Sequence, residues 1–420
     1  MKKKLASLLG IALAGAMILA GCGETGSSSA GSAAASNGTT ATASAEDTAN
    51  NTLNIDTAGT DADITIGEEN TEAEAIEMTI AFACWGYSDT LSMGYQKALN
   101  SISKGLMTLD QPIKVNWEWV TCYSPEEELT NLEAIHEKGV DGMVVLYMSE
   151  AIIDAMNSWE MPFVCYTICG DEIEAYAQQS PYYVGTVHEA IPDQAERQIR
   201  YAIETLGCKE ILLMSFAPGI VNHDIRFPRY EAVEAEYPDV TVYTNRSDEQ
   251  PVDVVNSMLT MHPNIDCIID TSALGGRGDG VVQALRTNNL GHGEVKYITC
   301  DFVEDQVNAM NDGIIAFTSS GTQGSVTHAF VALLNKIMGT PLSEDPMIWT
   351  WAFVDMTSVE DYENFNKYCI GKVPMITFED YEPYFRWIHP EASAEGFIAL
   401  CTPENLNLET IMEKHASYFQ

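Results

Sequence analysis

Residues 125–147 read PEEELTNLEAIHEKGVDGMVVLY, and this stretch decides the fold. From Pro125 to Lys138 the apolar residues Leu129, Leu132 and Ile135 fall on one helical face, and Gly139 stops the helix. Gly142–Tyr147 then runs apolar without alternation, as a strand covered on both faces does. The unit repeats outward. Before it lie a strand at Met78–Cys84, a helix at Leu91–Ile102 and a strand at Ile113–Thr121. After it come a helix at Glu150–Trp159 and a strand at Pro162–Ile168.

A second series follows Tyr182-Tyr183-Val184-Gly185. Pro192 opens a helix that carries Ala195, Ile199, Ala202, Ile203 and Leu206 and closes at Gly207. Strands are expected at Glu210–Ser215, Val240–Thr244, Cys267–Asp270, Val295–Cys300 and Ile314–Thr318. Helices alternate with them at Phe227–Glu236, Pro251–Met261, Gly280–Asn288 and Val303–Asn311. Such alternation means parallel sheets with right-handed crossovers. About ten strands exceed one comfortable sheet, so an α/β fold of two doubly wound parallel-sheet lobes is expected. Ligands in such sheets sit beyond the carboxyl ends of the strands, and two facing lobes make a cleft there.

The chain has 420 residues, of which 61 are acidic and 21 basic, a formal charge of −40. A field of that sign repels phosphate backbones, which excludes nucleic-acid partners. The charge is uneven. Lys2, Lys3 and Lys4 precede a 17-residue apolar run that ends in Leu19-Ala20-Gly21-Cys22, the order of a secretory signal. The four closing residues match the bacterial lipobox. That match implies a signal peptide over 1–21, cleavage before Cys22 and lipidation of its thiol, hence membrane attachment. Residues 23–75 hold ten acids, no Lys or Arg and no aromatic residue, the composition of a solvated tether over 22–75.

Nine further cysteines remain, an odd number, without CxxC or Cys/His ligand spacing, so a structural metal is not expected. Several sit in strand-like runs, where cysteine behaves as a small buried hydrophobe. The histidines at 188, 223, 262, 292 and 328 are scattered. No Gly-x-Ser-x-Gly, His-Glu-x-x-His or GxxxxGK occurs, so neither an enzyme nor a cofactor is expected. Arg277-Gly278-Asp279 is explained by a loop before a helix, and Arg226 by pairing with Asp224 or by a binding role.

The order of several short motifs resembles the type I periplasmic solute-binding proteins, the ribose-binding-like receptors of sugar ABC transporters. They are Lys138-Gly-Val-Asp-Gly-Met-Val-Val-Leu146, Glu160-Met-Pro-Phe-Val-Cys-Tyr-Thr167, Tyr183-Val-Gly-Thr186, Ile298-Thr-Cys-Asp301, Gly313-Ile-Ile-Ala-Phe-Thr318 and Val354-Asp-Met-Thr-Ser-Val-Glu-Asp-Tyr362. The resemblance covers roughly 76–362. It implies an N-terminal lobe of 76–185 plus 320–350, a C-terminal lobe of 186–319 plus 351–362, and an extension over 363–420. Hinge crossings are expected near Val184–Val187, Thr318–Gly321 and Val354–Thr357.

The resemblance also implies ligand contacts. Trp85, Tyr87, Ser88 and Asp89 supply rings and polar atoms after the first strand. Arg226 and Asp301 fall at the family's sugar-binding positions. Thr167 stands where an aspartate is usual and Ile168 where an arginine follows. Thr271-Ser272 replaces an Asn-Asp pair, and the expected glutamine is Gly321 or Gln323. The implied partners are a small polar ligand, a sugar or sugar-like, and an ABC permease, for a monomeric protein. A receptor for a membrane histidine kinase, or a binder of a nucleoside or cation, uses the same fold.

Overall fold

The computed structural model describes residues 67–86 and 90–419. The signal peptide, Cys22, most of the tether, and Tyr87, Ser88 and Asp89 lie outside the described residues. Asn70 hangs on the turn at 107–110: its backbone N–H donates to the Met107 carbonyl (2.8 Å) and its amide to Leu109 and Asp110. The segment before the first strand is therefore pinned to the fold from residue 70 onward.

Twelve strands build two six-stranded sheets. They are β1 (Ile76–Cys84), β2 (Ile113–Thr121), β3 (Gly142–Val145), β4 (Phe163–Cys165), β5 (Tyr183–Glu189), β6 (Glu210–Ser215), β7 (Thr241–Arg246), β8 (Cys267–Asp270), β9 (Lys296–Cys300), β10 (Ile315–Ser320), β11 (Met347–Trp351) and β12 (Val354–Met356). The first sheet runs β11-β5-β4-β3-β1-β2 and the second β12-β10-β9-β8-β6-β7. All neighbours are parallel except β10 and β12. Each sheet is covered by helices over a buried apolar core, and the first sheet's core also takes in Val354 and Met356 of β12.

Three differences from the sequence pattern have physical causes. Strand β3 stops at Val145 because the N–H groups of Leu146 and Tyr147 leave the sheet for the buried Glu128 carboxylate, at 2.8 and 2.6 Å. Strand β4 spans only three residues, since Thr167 turns inward and its hydroxyl donates to the Leu146 carbonyl. The helix expected from Pro192 to Gly207 widens into a π-type turn over Tyr201–Thr205, where the Leu206 N–H reaches back five residues to Tyr201.

The chain changes sheets three times. Strand β5 stays in the first sheet to Glu189, so the first crossing is at Ala190, beyond the expected Val184–Val187. The second follows Ser320, and the third lies at Ala352-Phe353 between β11 and β12. Trp351 thus belongs to the first sheet. Ala190, Ile191, Cys300 and Phe353 form a small apolar cluster where the chain crosses, with Ile168 and Ile225 packed on it.

Residues 363–419 wrap the first lobe as short helices. Phe378, Tyr381, Phe385, Phe397 and Cys401 enter the same core as β1 and β11. The nine cysteines among the described residues are all buried, and none is joined in a disulfide.

Candidate ligand-binding site

The carboxyl ends of the strands carry the polar and aromatic groups that the body of each sheet lacks. On the first sheet, Trp85 follows β1 and Tyr147 follows β3. The Trp85 indole N–H donates to the Tyr147 hydroxyl at 2.7 Å, and the two half-buried rings meet edge to face at 6.4 Å. Glu128 holds the Tyr147 backbone, so the buried carboxylate fixes the aromatic pair.

At the first crossing, Glu189 ends β5 and faces charged groups of the other sheet. Burial raises its carboxyl to about 7, and repulsion from Asp301 adds to this while Arg226 opposes it. Asp301 follows β9 with φ of 65°, a left-handed conformation costly for a residue with a Cβ. Three contacts hold it there. The Ser320 hydroxyl donates to its carboxylate at 3.0 Å, its N–H donates to the Ser319 carbonyl at 2.8 Å, and its own carbonyl accepts from Thr318 at 2.6 Å. Burial raises the Asp301 carboxyl too, with Ser320, Cys300 and Arg226 opposing.

Arg226 is buried, with 3% exposure, and does not pair with Asp224, whose partner is Arg246. Its guanidinium donates to the Gln194 amide oxygen and to the Asn222 carbonyl, and the Gln194 amide in turn donates to the Ser319 hydroxyl. A continuous polar chain therefore runs Arg226–Gln194–Ser319 beside Asp301 and Glu189. A second group lies at the ends of β6 and β8. There Arg277 pairs with the buried Asp270 at 2.9 Å and lies over the Phe216 ring at 4.6 Å. The His223 ring bonds Thr271 at 2.9 Å. Burial, then Arg226, Arg277 and Arg246, depress His223 to about 3, so its ring is neutral at pH 7. Arg277 is thus an internal ion-pair partner, and the tripeptide it begins is the start of a helix.

The structure brings Arg226 and Asp301 together in the second lobe, while Trp85 follows β1 in the first sheet. Thr167 is buried at the end of β4 with its hydroxyl spent on Leu146. Ser272 accepts from the Leu274 N–H at 3.2 Å and shapes the loop after β8. Gln323 lies under the helix Thr90–Leu106, in a recess with Gly94, Lys97 and Met375, apart from the Arg226–Asp301 group. Sequence reasoning missed Tyr147, Glu189, Gln194 and the serines of β10. Each stands at a strand end or in the first turn after a crossing, and that position was their only signal.

Two α/β lobes joined by three crossings, with polar groups at the strand ends, can be compared with known families. The periplasmic binding protein domain matches residues 107–340, more than half of the chain. The chain belongs to this family. Among solved structures, a periplasmic solute-binding protein of an ABC transporter from Actinobacillus succinogenes, with bound D-allose, is similar. It has 19% identity and a TM-score of 0.57, over 68% of this chain and 99% of that one. A carbohydrate transporter solute-binding protein from Agrobacterium radiobacter, in complex with D-arabinose, gives 15%, 0.57, 70% and 99%. The glucose-galactose binding protein GanP of Geobacillus stearothermophilus gives 14%, 0.55, 68% and 98%. A search of curated proteins found no match.

At these identities the likeness shows the fold, the type I periplasmic binding protein fold, and not the ligand. The family and these neighbours are solute-binding proteins. No helix among the described residues is long and apolar enough to cross a membrane.

Proposed function

We propose that this periplasmic binding protein is an extracytoplasmic solute receptor, anchored by lipid at Cys22, that takes up a sugar or sugar-like ligand between its lobes. It then presents the ligand to the permease of an ABC importer. The observation that carries this reading is the polar group at the crossing, Arg226–Gln194–Ser319 with Asp301 and Glu189; the Trp85–Tyr147 rings stand at strand ends of the first sheet. A sugar hydroxyl both donates and accepts. Arg226 supplies donors, and Asp301 and Glu189 supply acceptors, in surroundings where charge-assisted bonds are strong. An aromatic face suits the C–H face of a sugar ring. Solved neighbours of the same fold hold D-allose and D-arabinose, which supports a monosaccharide as the first class to try.

A second reading has one observation in its favour. Glu189 and Asp301 set two carboxyl groups against the one Arg226, so a cationic solute would also be held. Salt separates the two, because affinity for a neutral sugar is insensitive to ionic strength and affinity for a cation falls.

A thermal-shift screen of sugars, nucleosides and cations, followed by titration of the hit, tests the reading. A ligand at 100 times its Kd raises stability by about 2.7 kcal/mol. Asp301→Ala and Trp85→Ala should each lose about 2 kcal/mol of binding, roughly thirtyfold. If both variants bind the hit like the parent, the site is elsewhere. For the anchor, Cys22→Ser should shift the protein from the membrane to the soluble fraction; unchanged retention would refute lipidation.

A further inference from the structure

Cys169 and Glu174 are five residues apart, and His188, fourteen residues further along the chain, joins them beside β4 and β5 of the first sheet. Cys169 follows β4, Glu174 lies in the helix Asp171–Ala177, and His188 is the penultimate residue of β5. Their ligand atoms, Sγ, a carboxylate oxygen and an imidazole nitrogen, all lie within 4.8 Å of one another. The Cys169 thiol is 3.3 Å from Glu174 Oε2, and His188 Nε2 is 3.8 Å from the same oxygen.

We propose that these three side chains form a site for a zinc-like divalent cation. A thiolate, an imidazole and one carboxylate are the donors that a borderline metal such as Zn²⁺ takes, whereas Mg²⁺ and Ca²⁺ prefer oxygen alone. With bonds of about 2.3 Å to sulfur and 2.0–2.1 Å to nitrogen and oxygen, the edges of a tetrahedral site measure about 3.3–3.6 Å. The two shorter separations are already within a few tenths of an ångström of that.

Hydrogen bonding explains part of the cluster but not all of it. Glu174 accepts from the Cys169 thiol and from the Tyr183 hydroxyl. His188 Nε2, however, is buried without any hydrogen-bond partner, and 3.8 Å to Glu174 is too long to count as one. A metal in the centre gives that nitrogen its partner. Tyr183, at 2.9 Å from Glu174 Oε2, would then orient the carboxylate from behind, as outer-shell donors do. On binding, the Cys169 S–H proton leaves to solvent and the sulfur lone pair goes to the metal. The fourth position falls to water, because the His188 side chain keeps 21% exposure and leaves a way in. A charge of −40 concentrates cations around the whole chain. The metal would tie β4, the following helix and β5 together one residue before Glu189.

The test uses the full chain, stripped with a chelator and kept reduced, with Zn²⁺ alone and Co²⁺ alone as probes. One equivalent of Zn²⁺ should bind, and Co²⁺ should give the thiolate-to-cobalt charge-transfer absorption of a tetrahedral site. Cys169→Ser should abolish that absorption. His188→Ala and Glu174→Gln should each weaken Zn²⁺ binding by at least tenfold, the least that loss of even an outer-shell partner costs. His188 is the least buried member, so its variant keeps the test open should the other two fail to fold. Failure of the parent chain to bind Zn²⁺, or Zn²⁺ affinity unchanged in His188→Ala, overturns the site.

Discussion

Asp301 pays for its left-handed backbone with three contacts inside β10, and this holds its carboxylate at the crossing opposite Glu189. Glu189 makes the placement measurable. Its folded carboxyl titrates at about 7, above the value of about 4.3 in an unfolded chain. The folded state therefore holds the proton more tightly. That contribution to stability is complete below about pH 4.3 and is lost as pH rises through 7. Glu189→Gln cannot ionise and escapes the loss. Denaturant melts from pH 5 to pH 8 should show the variant gaining on the parent, by about 1–2 kcal/mol at pH 8, less than the bare shift because solvent reaches the side chain. Parallel curves would mean that Glu189 is neither buried nor set against Asp301 in the folded state. Asp301 and Arg226 were legible in the sequence because each stands in a motif, after a strand in one case and before a helix in the other. Tyr147 was not, because the apolar run that contains it reads as strand to its end. Only the Glu128 carboxylate, contributed by the preceding helix, cuts the strand at Val145 and turns Tyr147 outward.

At the scale of elements, the helix Ser325–Ile337 shows why part of the fold escaped the pattern. It is buried at every position from Ser325 to Asn335, so it has no polar stripe from which a period could be read. The edge strand β11 is covered on one face, with Trp349 and Trp351 wholly buried while Ile348 and Thr350 are exposed. The cover is the chain beyond residue 363, whose aromatic residues pack on the first lobe. Phe397 stacks on His328 at 3.8 Å and meets Trp349 edge to face at 6.0 Å. Asn335 donates to the Tyr384 carbonyl and accepts from the Arg386 N–H, and the Ala352 N–H donates to the Cys401 carbonyl at 3.1 Å. The extension is therefore part of the first lobe's core. Phe397→Ala should cost about 3–5 kcal/mol in equilibrium unfolding, the range for a fully buried phenylalanine. A cost below about 1 kcal/mol would mean that the extension only rests on the lobe. Amphipathic helices such as Pro125–His136 were legible because one face meets water; an element sealed by a later segment has no such face.

For the whole molecule, the question is whether two lobes, whose cores meet at β12, rotate as rigid bodies. Each crossing is short: Ala190 alone, the residues just after Ser320, and Ala352-Phe353. Bending is thereby confined to a few residues around the Ala190–Ile191–Cys300–Phe353 cluster, while the sheets on either side stay packed. One contact complicates free rotation. Phe302, one residue beyond Asp301, meets Tyr362 at 5.0 Å and Phe365 at 5.6 Å, both on the helix that follows β12. Phe365 is buried in the core that β12 shares with the first sheet, so closure must turn about Phe302 or repack it. Turning about it is the cheaper course, because Phe365 is fully buried and edge-to-face rings tolerate a change of angle at nearly constant separation. Saturation with the ligand found by screening should then reduce the radius of gyration in small-angle scattering. Phe302→Ala should alter the ligand-free radius while leaving the direct contacts of Asp301 and Arg226 in place. If ligand saturation leaves the radius unchanged in both proteins, the crossings do not act as a hinge, and the ligand enters a cleft that is already closed.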